Sequence, residues 1–178
     1  MTNKANRPSN TNYQGSHGQQ ALRQNVPQSN SQNDDVKEFS YKGPDDFLTK
    51  AEEFAKGLAG DDGKGIGKSQ LRKFYDQVIS LRDEALQPSS GEKGEKIIKI
   101  IFKLRLLQTR VIYLSKRKSG TGYLVSPSAK KHLLGILERG IKLCKDSKDN
   151  GDIAEALKDF AMEFEAIYAY FYALSEKD

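Results

Sequence analysis

Hydrophobic residues recur at three- and four-residue steps in five stretches of this chain, the spacing of helices that each bury one face. Pro44 opens the first, in which Phe47, Leu48, Ala51, Phe54, Ala55 and Leu58 form the stripe and Gly60 marks the end. Asp45 and Asp46 suit the positive end of its dipole. The second is expected to take Ser69 as its N-cap and to bury Leu71, Phe74, Tyr75, Val78, Leu81 and Ala85, until Pro88 and Gly91 stop it. The third, Glu92 to about Lys118, carries Ile97, Ile98, Ile100, Ile101, Phe102, Leu104, Leu106, Leu107, Val111, Ile112 and Leu114. A helix apolar on most of its circumference predicts a central place in a bundle.

Ser126 and Pro127 supply an N-cap and a first-turn proline for the fourth helix, which turns Leu133, Leu134, Ile136, Leu137, Ile141 and Cys144 inward and Lys130, Lys131, Arg139, Lys142 and Lys145 outward. Asn150 and Gly151 break it, and Asp152 is the expected cap of the fifth. There Ile153, Ala156, Leu157, Phe160, Phe164, Ile167, Phe171 and Leu174 form the stripe, with Glu155, Asp159 and Glu163 near the outer side. Gly120 to Val125 reads as a loop, and no stretch alternates as a strand does. The fold class is therefore all-α: an antiparallel bundle of about five helices with short connections, spanning residues 44–178. Residues 1–43, rich in Asn, Gln, Ser, Gly and Pro with aperiodic Leu22 and Val26, are expected to form a disordered tail.

At 178 residues and 19.9 kDa the chain has the size of one domain. No apolar run approaches the roughly 18 residues of a spanning helix. The N-terminus lacks the apolar core of a signal peptide and Cys144 is the single cysteine, which together predict a reducing, cytoplasmic setting. The net charge of +5 conceals an asymmetry: residues 1–62 sum to −2, residues 63–145 to +13 and residues 146–178 to −6. Such a middle segment suits a polyanionic partner, and the acidic end suits an outer face or a protein contact.

Catalytic candidates are few. The run DGKGIGKS offers the Gly67-Lys68-Ser69 end of a phosphate-binding loop, but the position of its first glycine is Asp62, whose charge opposes phosphate, and a helical pattern precedes it where a strand is required. His17 lies in the tail, and His132 stands near Lys130 and Lys131 with no cysteine or carboxylate at metal-ligand spacing. Cys144 falls on an apolar face, and the adjacent pair Asp61 and Asp62 lacks a second acidic cluster. These pieces predict no enzyme, cofactor or metal site.

The basic residues form a clearer pattern. Lys68, Arg72 and Lys73 lie on the second helix away from Leu71 and Phe74. On the third, Lys96, Lys99, Lys103, Arg110 and Arg117 fall within an arc of about 60° and run into Lys116, Arg117 and Lys118. Lys68, Arg72, Lys73, Arg110, Lys116, Arg117 and Lys118 are the candidate contacts to nucleic-acid phosphates, a solvated bundle surface being the alternative. Tyr168, Tyr170 and Tyr172, beside Phe164 and Phe171, suit a core edge or protein contact better than base stacking. Arg82, on the side of Leu71, reads as a groove residue, a subunit contact or a core-edge arginine.

Three blocks together resemble one family. They are Ser69 to Tyr75 (SQLRKFY), Leu107 to Arg117 (LQTRVIYLSKR) with Arg110, Tyr113 and Arg117 in place, and Phe160 to Tyr170 (FAMEFEAIYAY). The family is the small helical subunit of type III-A CRISPR effector complexes, the Csm complexes. The central block departs from the family pattern at Thr109, where proline is usual, and at Leu114, Ser115 and Lys116, where small residues are usual. The tail lies outside the pattern. The resemblance implies a non-catalytic subunit stacked in neighbouring copies along a ribonucleoprotein filament. It would face the RAMP-type backbone subunits that hold the CRISPR RNA, and the large scaffold subunit, and help line the groove for guide and target RNA. Alternatives are the equivalent subunit of a type III-B complex and a helical adaptor that binds only protein.

Overall fold

The computed structural model describes residues 36–60, 63–88, 94–120 and 122–175. All five helices are present: α1 (Pro44–Ala59), α2 (Lys68–Leu86), α3 (Glu95–Lys116), α4 (Pro127–Asp146) and α5 (Asn150–Ser175). Between α3 and α4 the chain makes a short antiparallel hairpin of β1 (Lys118–Ser119) and β2 (Gly122–Tyr123), where the sequence pattern suggested only a loop. The Leu124 amide, just beyond β2, donates to the Arg117 carbonyl at 3.0 Å and closes the hairpin's base.

Helix starts follow local chemistry, with two corrections. Ser126 caps α4 as expected, its hydroxyl accepting from the Ala129 amide at 3.2 Å. Ser69, however, lies inside α2, whose N-cap is Gly67 and has no side-chain cap. At α5 the cap is Asp149: its carboxylate accepts from the amides of Gly151 and Asp152 at 2.8 and 3.0 Å. Asp152 instead reaches back to the Lys148 amide at 3.0 Å, so the two aspartates satisfy the helix start from both sides.

The packing order also differs from the expectation. The central helix is α5, which touches α1, α2 and α4 extensively and α3 less. Its Ile153, Leu157, Phe160, Phe164, Ile167 and Phe171 are buried, so its stripe meets neighbours along its length. Helix α3 lies at the edge, mainly against α4, and leaves Ile98 70% exposed together with Phe102, Leu106, Ile112 and Tyr113. Its apolar circumference is thus shared between a buried stripe (Ile100, Leu104, Leu107, Val111, Leu114) and an uncovered outer face.

Folded structure begins before Pro44. Residues 36–43, placed by composition in the tail, run without helix across the bundle and bury Phe39 against Phe54, with ring centroids 4.9 Å apart. Gly135 permits the crossing, because a Cβ there would stand 1.8 Å from the Lys37 carbonyl oxygen. The strap is fastened further by Tyr41, whose hydroxyl donates to Glu163 at 2.9 Å. Glu163, expected near the outer side, is 1% exposed, and Arg139, expected outward, turns to meet it at 3.1 Å. The remainder of the expected tail lies outside the described residues.

Candidate nucleic-acid interface

Burial of Leu71, Phe74, Val78 and Leu81 fixes the rotation of α2 and turns Lys68, Arg72 and Lys73 toward solvent. Arg72 is only loosely tethered, its Nε 3.9 Å from Asp76 one turn on, an exposed pair of little energetic weight. Lys73 and Arg110 line a groove of about 760 Å³ between α2 and α3, with Asp76, Gln77, Ser80 and Leu106 among the other walls. Arg110 is half-buried there, its guanidinium 5.5 Å from the centre of the Phe74 ring.

The basic stripe of α3 divides into two parts. Lys99 and Lys103 both pair with Glu84 of α2, Lys99 at 3.1 Å, and Lys103 holds the Glu84 carboxyl below its ordinary range with help from Lys99. Lys96 donates to the carbonyls of Ala85 and Gln87 at the C-terminal end of α2. These three lysines therefore join α3 to α2. Further along, Arg105 and Gln108 both reach Glu138 on α4, at 2.8 and 2.9 Å. What remains of the stripe is Arg110 in the groove and Arg117, exposed between Lys116 and Lys118 where α3 passes into the hairpin.

The glycine-rich loop brings the start of α2 to that same end. Its Gly65 and Ile66 are pinned: the Gly65 amide donates to Ala59 at 2.7 Å, the Ile66 amide to Leu58 at 3.0 Å, and the Gly65 carbonyl accepts from Ser126 at 2.8 Å. Ile66 is buried and forms a bridge to Val125. Gly65 is required by this close passage, since a Cβ would stand 1.9 Å from the Leu58 carbonyl oxygen. A second groove, of about 630 Å³, opens between this loop and the hairpin and is lined by Lys64, Gly67, Ser69, Gln70 and Tyr123 among others. Tyr123, which the sequence pattern did not single out, is 49% exposed and lies 5.6 Å from the Lys118 ammonium.

Tyrosines of α5 fill the other side of α2. Tyr75 stacks on Tyr168 with centroids 4.7 Å apart, Tyr168 meets Tyr172 at 4.6 Å, and Lys68 lies 5.9 Å from the Tyr172 ring. Burial, with a further contribution from the Tyr172 hydroxyl, pushes the Tyr168 phenol up to about 12. Tyr168, Tyr170 and Tyr172 are all partly buried against the core, at the edge that their position beside Phe164 and Phe171 suggested. Arg82 is held by Asp83, at 2.8 Å.

The other chemical candidates have structural placements. His132 packs edge-on against Phe54 at 5.1 Å, with Nδ1 2.9 Å from the Ser128 carbonyl oxygen. Cys144 is buried, and desolvation pushes its thiol up to about 12, away from the thiolate form a nucleophile needs. The loop that resembled a phosphate-binding motif follows α1 rather than a strand, and Asp61 and Asp62 lie outside the described residues, as does His17. Among the described residues no three or more His, Cys, Asp or Glu side chains gather as a metal site would require, and no helix is long and apolar enough to cross a membrane.

Compared with known families, residues 42–177 match the model of the family described as Csm2 Type III-A. No curated protein and no solved structure matches the chain.

Proposed function

Because the chain belongs to the Csm2 Type III-A family, we propose that it serves as the non-catalytic small subunit of a type III-A CRISPR ribonucleoprotein complex and contacts the RNA backbone in antiviral defence. The observation that carries this reading is the family match over residues 42–177, essentially the whole bundle. Lys68, Arg72, Lys73, Arg110, Lys116, Arg117 and Lys118 are the proposed phosphate contacts. Their support is chemical: Lys73 and Arg110 share one groove, while Lys68 and the run after Lys116 lie at one end of the bundle. Lysine and arginine attract phosphates without regard to sequence, which suits a subunit lining a guide and target duplex.

The remaining partners in this reading are proteins. The outer face of α3, with Ile98, Phe102 and Leu106 at four-residue steps, has the character of a contact surface for RAMP-type backbone subunits, the large scaffold subunit or neighbouring copies. Chemistry on RNA belongs to other subunits. The test is charge reversal at Arg72 and Arg110 together in the assembled complex. Target RNA association should weaken for all sequences alike, and the log-log salt slope should fall in magnitude by about 0.7 to 0.9 per lost phosphate contact. An unchanged affinity and slope in complexes of normal composition would refute the RNA role.

A further inference from the structure

The groove between the glycine-rich loop and the hairpin has a chemistry that phosphate attraction alone does not use. Its wall includes Tyr123, an aromatic ring 49% exposed at the base of a two-stranded hairpin, beside the Leu124-to-Arg117 hydrogen bond. The hairpin register sets Lys118 directly across from Tyr123, with the ammonium 5.6 Å from the ring centre. The opposite wall contributes Lys64 and, on the first turn of α2, Ser69 and Gln70. A volume of about 630 Å³ is ample for one nucleotide, and Lys64 lines the groove while Lys118 lies against the Tyr123 ring.

We propose that this groove receives an unpaired RNA nucleotide, whose base stacks on Tyr123 while Lys64 and Lys118 meet the flanking phosphates. The proposal rests on the RNA-contacting reading above and adds to it a single-strand site away from the Lys73 and Arg110 groove. Stacking needs a base whose face is free, which a continuous A-form duplex does not offer. The Tyr123 ring meets Lys118 across the strands, and the hairpin has fastenings besides that contact. The hairpin is held by the Leu124-to-Arg117 hydrogen bond and by buried Val125, neither of which involves the ring.

The experiment uses the full chain and a labelled single-stranded RNA of about ten nucleotides, with the blunt duplex of the same sequence as comparison, read by fluorescence anisotropy. Tyr123→Ala should weaken single-strand binding about tenfold, leave duplex binding unchanged and leave the salt slope as it was. Tyr123→Phe, which keeps the ring face, should bind as the parent does. Lys64→Ala and Lys118→Ala should each reduce the magnitude of the slope by about 0.7. Thermal melts of the variants verify folding. Equal single-strand affinity in Tyr123→Ala, an equal loss for duplex, or no single-strand binding by the full chain would each overturn the proposal. None of these outcomes decides the Arg72 and Arg110 test in the assembled complex, so the two readings fail separately.

Discussion

Removing the guanidinium of Arg139 should destabilise the protein far more than removing any other cation on α4, because it leaves a carboxylate in the core without its partner. Glu163 is 1% exposed and holds Arg139 at 3.1 Å and the Tyr41 hydroxyl at 2.9 Å. Breaking a buried ion pair from one side typically costs 3–5 kcal/mol. The Arg139 side chain keeps 26% of its exposure and Tyr41 still donates to Glu163 in the variant, so the expected cost of Arg139→Ala is about 3 kcal/mol. For a chain of this size that is a fall in melting midpoint of about 6–12 °C. Glu163→Gln keeps an acceptor for Tyr41 and loses only the charge, with an expected cost of about 1.5 kcal/mol.

The informative variant is the double one. Once residue 163 is neutral, the absence of Arg139 strands no charge, so Arg139→Ala with Glu163→Gln should cost about 2.5 kcal/mol rather than the sum of the singles. The coupling of about 2 kcal/mol is measurable by urea unfolding at fixed pH, with midpoints compared at common slope. Additivity of the two substitutions within about 0.5 kcal/mol would refute the claim that these groups form one buried unit.

Other outcomes follow from particular contacts. Truncation to a chain beginning at Pro44 removes Phe39 and Tyr41, and should lower stability by at least the roughly 3–5 kcal/mol of Phe39→Ala, read from denaturant midpoints against a chain beginning at Val36. Gly65→Ala forces the loop off the end of α1, where a Cβ would stand 1.9 Å from a carbonyl oxygen, and should cost about 3 kcal/mol or more, whereas Gly67→Ala, with open space around it, should cost under about 1 kcal/mol. Glu53 is held down to about 2 by Lys37 and then Lys50, so its contribution is present above the ordinary value of 4.5 and is lost as pH falls toward 2. Its side chain is 40% exposed, which limits that contribution to under about 1 kcal/mol; Glu53→Gln should flatten the acid limb of stability against pH by that amount.

The sequence determined the helices and their approximate limits, because a three-to-four-residue period is a local property that each stretch carries by itself. Ser126 with Pro127 announced α4, and the stripe from Ile153 to Phe171 announced the buried face of α5. The charge imbalance and the three family-like blocks were equally legible, and the family match over residues 42–177 agrees with them. What the sequence could not determine was which faces would meet. Helix α3 looked central because hydrophobicity measures the capacity for burial, while its edge position depends on how much of that surface α4, α2 and α5 can cover. The cations of its stripe look alike along the chain, yet packing sets Lys96, Lys99 and Lys103 against the end of α2 and leaves Arg110 and Arg117 beyond it. Glu163 sits one step from the apolar stripe, and only the crossing of residues 36–43 over α4, with Tyr41 and Arg139 closing around it, makes a buried carboxylate tolerable there. Pairing across the fold is a property of three-dimensional neighbours, and no periodicity within one helix encodes it.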